Sequence, residues 1–216
     1  MTDTGSSSRW LDAERHLAAI DADWARLIDT VGPCLLEPTP AHEPWEALAR
    51  AVAYQQLHVR AGDAIVARLL AQFGGVFPTP AQLRATDVTV LRGCGFSARK
   101  ADTLHGIADG ALDGLIPARE VAGGMADDAL VSRLIGLRGI GRWTVEMMLI
   151  HTLGRADVLP ADDFGVRDGY RRLKSLDGVP RPREMLAFGE VCRPCRTAAS
   201  WYLWRVPKPP AGTPRA

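Results

Sequence analysis

Apolar residues recur every three or four positions along almost the whole chain, the spacing that collects them on one face of an α-helix. We find no convincing stretch in which apolar and polar residues alternate, as they do along a half-buried β-strand. Glycine and proline divide the pattern into segments: Pro44 suits the first turn of one helix, and Gly74-Gly75 ends another. The sequence therefore predicts an all-α fold.

Within this pattern, we expect a first helix that begins near Ser8 or Asp12 and runs through Trp24 to Leu27. Thr79 is placed to cap a later helix, because its hydroxyl can accept a hydrogen bond from a backbone N–H of the first turn. Three tryptophans are assigned to core packing: Trp10, Trp24 and Trp45. Three helix–turn–helix units are expected, at residues 91–107, 130–153 and 162–173.

The composition excludes several classes of protein. A chain of 216 residues with 47% hydrophobic and 24% charged residues is typical of a globular protein, and not of a disordered, collagen-like or disulfide-stapled one. The apolar run Met147–Ile150 is far shorter than the ~20 residues that cross a bilayer. The start of the chain does not resemble a signal peptide, so we expect a cytoplasmic protein with reduced cysteines.

The net charge of +1 conceals an uneven distribution along the chain. Residues 1–130 contain 11 lysines and arginines and 17 acidic residues, whereas residues 131–216 contain 15 and 8. The two parts therefore carry charges of −6 and +7. A basic C-terminal part predicts a surface for an anionic partner.

Two glycines lie two positions apart in the segment Leu137–Arg142, where Gly139 and Gly141 flank Ile140. Such a turn places backbone N–H groups at the start of the next helix, where the helix dipole favours an anion such as a DNA phosphate. Contacts made through the backbone are independent of base sequence. The same residues also suit a turn that only lets two helices pack closely, and the segment alone does not decide between these interpretations.

Five stretches together resemble the helix-hairpin-helix DNA glycosylases that have a Gly/Pro-rich loop and a catalytic aspartate. They are Leu137–Thr144, Leu159–Phe164, Ala53–His58, Gly95–Lys100, and Arg193–Thr197 with its continuation to Trp204. Within that superfamily, the chain is most similar to the alkylation-repair type, the 3-methyladenine DNA glycosylases II. The resemblance covers residues 45–205 and keeps the order and spacing of the motifs.

The resemblance implies a two-lobed fold with the active site in the cleft between the lobes. Residues 9–206 would form this domain, between a disordered leader at residues 1–8 and a flexible tail at residues 207–216. One lobe would span residues 45–160 and include the hairpin 137–142, and the other would join the N-terminal helix to residues 164–206. The larger bacterial relatives carry an extra N-terminal domain, so this chain would be the compact form.

Matching the family's motif places the catalytic carboxylate on Asp163, in the stretch Leu159–Phe164. This aspartate precedes an expected helix, whose dipole and N–H groups favour a negative charge. An ionised carboxylate could stabilise the oxocarbenium-like sugar that forms as an N-glycosidic bond breaks, or orient the attacking water. An aspartate at this position is also typical of a simple helix cap, and Asp162 is the neighbouring candidate for catalysis.

The resemblance further implies how the base is released. Glycosylases with lyase activity have a lysine where this chain has Trp143, and tryptophan cannot form a Schiff base with the sugar. We therefore expect a monofunctional hydrolase that leaves an abasic site. Alkylated purines of the 3-methyladenine and 7-methylguanine type are already cationic, so they leave without protonation and favour electron-rich rings. The implied base pocket consists of Trp143, Trp204, Tyr54 and Met147, the last replacing a tyrosine of the bacterial branch.

A base must leave the duplex before its glycosidic bond can be reached, and an apolar side chain usually fills the gap. Leu57 matches the family's wedge and His58 a minor-groove contact, although a buried leucine and a surface histidine are the alternative interpretation. Arg99 and Lys100 either clamp a second phosphate or begin a solvated helix. The full set of expected DNA contacts is Gln56, Leu57, His58, Arg99, Lys100, Gly139, Gly141, Arg142 and Thr144.

No cofactor is expected to be required. The hairpin of this family often binds Na⁺ or K⁺ through backbone carbonyls, which match Ile135, Leu137 and Ile140 here. The four cysteines lack the spacing of the iron–sulfur branch, so we expect no cluster. Cys192 and Cys195 form a C-x-x-C pair, as in zinc and redox sites, but no second pair lies nearby and we interpret both as packing residues.

These inferences lead to one main hypothesis and two rivals. The main one is a monomeric glycosylase that removes alkylated purines from double-stranded DNA during base excision repair, in the cytoplasm at the nucleoid and with no membrane partner. The first rival is a non-enzymatic helix-hairpin-helix module that only binds DNA; Asp163 and the tryptophan-rich end argue against it. The second rival acts on oxidised or mismatched bases, which a lysine in place of Trp143 or iron–sulfur cysteines would favour.

Overall fold

The computed structural model describes residues 9–39 and 41–208, so the expected leader at residues 1–8 and the expected tail beyond residue 208 lie outside the described part. Within that part the secondary structure is helical without a strand, which confirms the all-α prediction. The chain forms two compact units. One is Pro38–Gly154, and the other combines the chain up to Glu37 with the chain from Arg155 onward.

The described residues contain thirteen α-helices and one 3₁₀ helix, joined by turns and loops. In chain order they are α1 (Leu11–Ala18), α2 (Ala22–Val31), α3 (Pro44–Tyr54), α4 (Val59–Gln72), α5 (Pro80–Ala85), α6 (Val88–Gly93), α7 (Ala98–Leu112), α8 (Arg119–Gly124), α9 (Asp127–Leu134), α10 (Arg142–His151), α11 (Phe164–Leu173), α12 (Pro182–Phe188), the 3₁₀ helix (Gly189–Cys192) and α13 (Arg196–Leu203). Over these residues, no helix is long and apolar enough to cross a bilayer.

The continuous unit, Pro38–Gly154, is built around α7. This helix packs against α3, α5 and α6, while α10 packs against α3 and α9. Aliphatic side chains from these helices fill the core, since burying each one removes apolar surface from water. Among the buried residues are Leu48, Val52, Leu69, Leu83, Leu104, Ile107, Leu130 and Leu149.

Local signals begin and end the helices of this unit as the sequence predicts. The Thr79 hydroxyl accepts a hydrogen bond from the Gln82 N–H at 3.3 Å, and the Gln82 side chain accepts one from the Thr79 N–H at 2.9 Å. This reciprocal arrangement is a capping box. Pro44 opens α3, and Gly74 and Gly75 have φ angles of 67° and 86° after α4, a conformation that stops a helix.

The second unit packs α13 against α1, α2 and α11. Trp10, Trp24 and Tyr202 are buried there, which confirms the core assignment of the two tryptophans. Their polar atoms are satisfied: the Trp10 Nε1–H donates to the Leu36 carbonyl at 2.9 Å, and the Tyr202 hydroxyl donates to the Gly32 carbonyl at 3.0 Å. Trp45, by contrast, is only half-buried and packs against Phe77 in the continuous unit, so it is not a core residue.

Two helix predictions are wrong. The expected single helix through Leu27 is interrupted between α1 and α2, because Asp21 is extended and its carboxylate caps α2. This carboxylate accepts hydrogen bonds from the N–H groups of Asp23 and Trp24 at 2.9 and 3.2 Å. Residues 162–173 hold one helix, α11, rather than a helix–turn–helix unit.

Candidate functional site

Asp163 lies at the N-cap of α11, where its sequence position predicts it. Its Oδ1 accepts a hydrogen bond from the backbone N–H of Val166 at 2.8 Å and another from the Nε1–H of Trp204 at 2.9 Å. The neighbouring Asp162 is exposed. Two donors, one from its own helix and one from the residue after α13, therefore fix the orientation of the Asp163 carboxylate.

The shape of α11 makes room for Trp204 beside this carboxylate. A Cβ at Gly165 would lie 3.0 Å from both the Asp163 Oδ1 and the Trp204 Cδ1, so the glycine lets the two side chains meet. Trp204 is half-buried, whereas the nearby Trp201 and Tyr202 are buried in the core. Of these three aromatic residues, Trp204 is the one that can face a ligand.

The hairpin Leu137–Arg142 joins α9 to α10, as predicted. Gly139 has a φ of 84°, and a Cβ there would lie 2.3 Å from the Thr103 hydroxyl, so both the backbone and the space require glycine. Ile140 is buried and anchors the turn, while Gly141 is exposed and caps α10 without a side chain. The positive end of α10 is therefore not covered by a capping side chain, which suits an anion.

The loop between α3 and α4, Gln55–His58, presents an apolar side chain to solvent; we call it the wedge loop. Leu57 is 44% exposed, which excludes the alternative of a buried core leucine. Gln56 has a φ of 58°, a left-handed conformation that is uncommon for residues with a side chain. His58 is exposed at the N-cap of α4. A protruding leucine between exposed polar residues has the form that a wedge requires.

The structure corrects the expected role of Lys100. Its Nζ donates hydrogen bonds to the carbonyl oxygens of Ala53 and Gln55, at 3.2 and 2.8 Å. The ammonium is therefore engaged by the end of α3, and the side chain is half-buried rather than fully solvated. Arg99, one residue earlier, is exposed and remains a candidate phosphate contact.

The structure also corrects Thr144, which is only 3% exposed. Its hydroxyl lies 3.5 Å from the Gln55 amide nitrogen, so the side chain is buried and faces the wedge loop. Arg142, at the start of the same helix, is exposed and lies 3.6 Å from Glu146. The accessible polar groups of the hairpin are thus its backbone and the exposed side chains of Arg138 and Arg142.

The remaining expected pocket residues belong to the continuous unit, whereas Trp204 belongs to the other. Trp143 and Met147 lie four residues apart on α10, hence on one face, and both are half-buried. The Tyr54 hydroxyl donates to the Asp63 carboxylate at 2.8 Å. Its ring lies against Gly62, where a Cβ would come within 2.2 Å of the ring.

The described residues contain no group of three or more His, Cys, Asp or Glu that could hold a metal ion. Burial raises the pKa of Cys192 to about 12 and also raises the pKa of Cys195. Both thiols are therefore protonated at neutral pH, unlike the thiolates of zinc and redox sites.

The Leu137 carbonyl, one of the expected ligands of a Na⁺ or K⁺ ion in the hairpin, accepts a hydrogen bond from the Ile140 N–H at 3.0 Å.

Sequence reasoning missed a role for Gln55, although this residue lies in a stretch that carries the family resemblance. Its amide Nε2 donates to the Gly139 carbonyl at 3.2 Å and so links the wedge loop to the hairpin. The two residues are 84 positions apart, and a single glutamine at a helix end has no sequence signal for such a partner. Only the tertiary structure identifies this contact.

Residues 49–194 match the HhH-GPD superfamily of base excision DNA repair proteins. The chain belongs to this superfamily. The HhH-GPD chain is 47% identical over 200 residues to DNA-3-methyladenine glycosylase 1 of Schizosaccharomyces pombe, a match that covers 91% of this chain and 87% of that protein. It is 39% identical over 198 residues to an alkylbase DNA glycosidase-like protein of the same organism, with 91% and 93% covered.

Among solved structures, this HhH-GPD chain is similar to the Schizosaccharomyces pombe 3-methyladenine DNA glycosylase in complex with abasic DNA. The TM-score is 0.83 at 46% identity, and the match covers 90% of this chain and 95% of that one. These comparisons confirm the superfamily and the fold that the hairpin and aspartate motifs predict.

Proposed function

We propose that this HhH-GPD protein is a monofunctional DNA glycosylase that excises alkylated purines of the 3-methyladenine and 7-methylguanine type by hydrolysis and leaves an abasic site for base excision repair. The observation that carries the proposal is the Asp163 carboxylate, which the Val166 N–H and the Trp204 indole orient together. The relatives named DNA-3-methyladenine glycosylases support the substrate class.

Asp163 is proposed to act on the sugar. As the bond between the sugar and the base breaks, positive charge develops on the sugar, and a carboxylate of fixed orientation stabilises that charge. The same carboxylate can orient the attacking water. Because its two hydrogen bonds are already formed, the group needs little reorganisation during the reaction.

The leaving base is proposed to interact with tryptophan. A purine alkylated at N3 or N7 carries a positive charge in the nucleotide, and a cation over an indole face gains about 0.5–2 kcal/mol. We assign this contact to Trp143 and Trp204, together with Tyr54 and Met147, as the family resemblance implies. Since Trp143 has no amine, the nucleophile is water and no covalent adduct with the sugar forms.

The duplex is proposed to be held through the continuous unit. The N-terminus of α10 binds a phosphate through backbone N–H groups, with Arg142 and Arg99 as charged contacts. Leu57 fills the space of the flipped base, and His58 lies in the minor groove. The proposal also includes monomeric action and a cytoplasmic location at the nucleoid. It further includes a Na⁺ or K⁺ ion bound by the carbonyls of Ile135, Leu137 and Ile140.

The test replaces Asp163 with asparagine, which keeps the shape of the side chain and removes its charge. We expect excision of 7-methylguanine from a duplex to fall by about 100- to 1000-fold, the range typical of losing one preorganised electrostatic contact. Binding to a duplex that contains an abasic-site analogue should persist. Asp162→Asn is the matched control, because it removes the same charge from the exposed neighbour, and it should retain activity close to that of the unchanged protein.

Other outcomes distinguish the rivals. Full activity of Asp163→Asn together with an inactive Asp162→Asn would move the catalytic role by one residue. The unchanged protein can also be tested on a panel of alkylated, deaminated and oxidised lesions. If it binds these duplexes but releases no base, the result favours a module that only binds DNA. Preferential release of oxidised or mismatched bases would favour the other glycosylase class.

A further inference from the structure

We infer that Lys100 is a positioning residue for base flipping, which acts by holding the wedge loop in the conformation that presents Leu57. This inference rests on the proposed wedge role of Leu57. It assigns Lys100 a function in the reaction without direct contact to DNA.

The first observation is where the ammonium binds. Ala53 lies in the last turn of α3 and Gln55 is the C-cap residue, so the two carbonyl oxygens that accept from Lys100 belong to the end of the helix. Terminal carbonyls have no partner within their own helix, and a cation at a helix C-terminus is favourable. Lys100 thus fixes the backbone at the point where the wedge loop begins.

The second observation is that the lysine is partly withdrawn from water. Burial lowers the pKa of Lys100, which means that the surrounding protein disfavours the charged form relative to water. A solvated surface lysine or a phosphate clamp would not need this arrangement. The two carbonyl acceptors offset part of the cost, and the contact is partly buried.

The third observation is that Gln55 is held at both its backbone and its side chain. Its carbonyl accepts from Lys100, while its amide donates to the Gly139 carbonyl at 3.2 Å. Gly139 belongs to the hairpin that is proposed to bind phosphate. The wedge loop is therefore connected on one side to the start of α7 and on the other to the hairpin.

The fourth observation is the strained residue that follows. Gln56 has a φ of 58°, and such a conformation persists in a residue with a side chain only when the surrounding structure imposes it. Leu57 comes next, with its N–H donating to the Tyr54 carbonyl at 3.1 Å. Without the contacts of Lys100, Gln56 can relax and Leu57 loses the orientation that it needs to enter the duplex.

The experiment replaces Lys100 with methionine and measures excision of 7-methylguanine from two substrates: an intact duplex, and the same lesion placed opposite a gap, where unstacking is already done. Lys100→Met should lower the duplex rate relative to the gapped rate about three- to ninefold, the range expected for loss of the Leu57 contact. A merely destabilised protein has less folded enzyme for both substrates, so it leaves this ratio unchanged. The ratio therefore stays informative even when the variant folds poorly.

Three comparisons complete the design. Lys174→Met removes a lysine that donates to Asp21 and Asp23 in the other unit, so it is a matched control whose ratio should not change. Lys100→Arg keeps N–H donors for the two carbonyls, so its duplex-to-gapped rate ratio should lie close to that of the unchanged protein. In the Leu57→Ala background, Lys100→Met should not lower the duplex-to-gapped rate ratio further, because both changes remove the contribution of Leu57 insertion.

Three results overturn the inference. If Leu57→Ala changes the ratio but Lys100→Met does not, or if their effects multiply in the double variant, Lys100 does not act through the wedge. If Leu57→Ala itself leaves the ratio unchanged, the wedge assignment is wrong and the role of Lys100 fails with it. The Asp163→Asn experiment is independent of both, so failure of the glycosylase proposal is recognised separately.

Discussion

Leu57→Ala tests the wedge most directly, because it removes the protruding part of one side chain and leaves the wedge loop backbone in place. In the free protein this leucine is 44% exposed, so only that part of its surface remains to be buried when it enters a duplex. The remaining surface is already covered by the protein. The gain from insertion is therefore a fraction of the value for a fully buried leucine.

Complete burial of a leucine side chain is worth about 1.5–3 kcal/mol, and the exposed fraction of 44% scales this to about 0.7–1.3 kcal/mol. Since 1.4 kcal/mol corresponds to a factor of ten, the population of the flipped complex should fall about three- to ninefold. The covered part of the side chain contributes to folding, so the variant also loses about 1 kcal/mol of stability. That loss lowers the melting temperature by about 2–4 °C for a chain of this size and affects every substrate equally.

The assay compares single-turnover excision of 7-methylguanine from an intact duplex and from the same lesion opposite a gap. We expect the duplex rate to fall three- to ninefold, as estimated above, and the gapped rate to stay close to that of the unchanged protein once stability is matched. Equal slowing on both substrates would refute the reasoning, because it would mean that Leu57 contributes only to folding. The wedge would then have to be sought outside this side chain.

Two further predictions concern the chemistry and the folding of the chain. Because Trp143 offers no amine, borohydride treatment during turnover should trap no covalent protein–DNA adduct, and a trapped adduct would show lyase activity. Lys174→Met should lower the free energy of unfolding by about 0.5–1 kcal/mol at neutral pH, since its partners are partly exposed. Burial raises the pKa of Asp21, but the Lys174 contact and the backbone N–H donors outweigh it, so the net pKa lies below 3.8. Burial lowers the pKa of Lys174, but the contacts with Asp21 and Asp23 outweigh it, so the net pKa lies above 10.5. The stabilisation by Lys174 is thus lost as the pH falls below 3.8 or rises above 10.5. Urea unfolding across pH should show the free energies of unfolding of the unchanged protein and Lys174→Met converging at both extremes. A difference that is independent of pH would contradict this reasoning.

The residues that sequence reasoning placed well are those whose roles follow from local geometry. Gly139 adopts a positive φ because the turn demands it, and Asp163 caps α11 because the carboxylate precedes a helix start. Both signals lie within a few residues of the feature that they create. The helix ends at Thr79 and Gly74 follow the same rule, since capping and chain reversal are local events.

The residues that sequence reasoning misplaced depend on contacts between distant segments. Lys100 looks like a surface lysine at a helix start, and only the packing of α7 against α3 directs it to the carbonyls of Ala53 and Gln55. Thr144 follows a hairpin that is expected to bind DNA, yet its hydroxyl faces Gln55. The pairing of Trp204 with Asp163 likewise spans 41 positions and follows from the fold of the second unit.

The charge distribution along the chain has a structural explanation that changes its meaning. Among the described residues, the N-terminal segment 9–37 carries 3 basic and 6 acidic residues, and residues 155–208 carry 11 and 7; both segments belong to the same unit. Part of the basic excess is therefore neutralised internally, as in the contacts of Lys174 with Asp21 and Asp23. Residues 38–154, which hold the hairpin and the wedge loop, contain 11 basic and 11 acidic residues. We therefore expect the proposed phosphate binding by that unit to depend on where individual charges and backbone N–H groups lie, such as the N-terminus of α10, which has no capping side chain, rather than on a net positive charge.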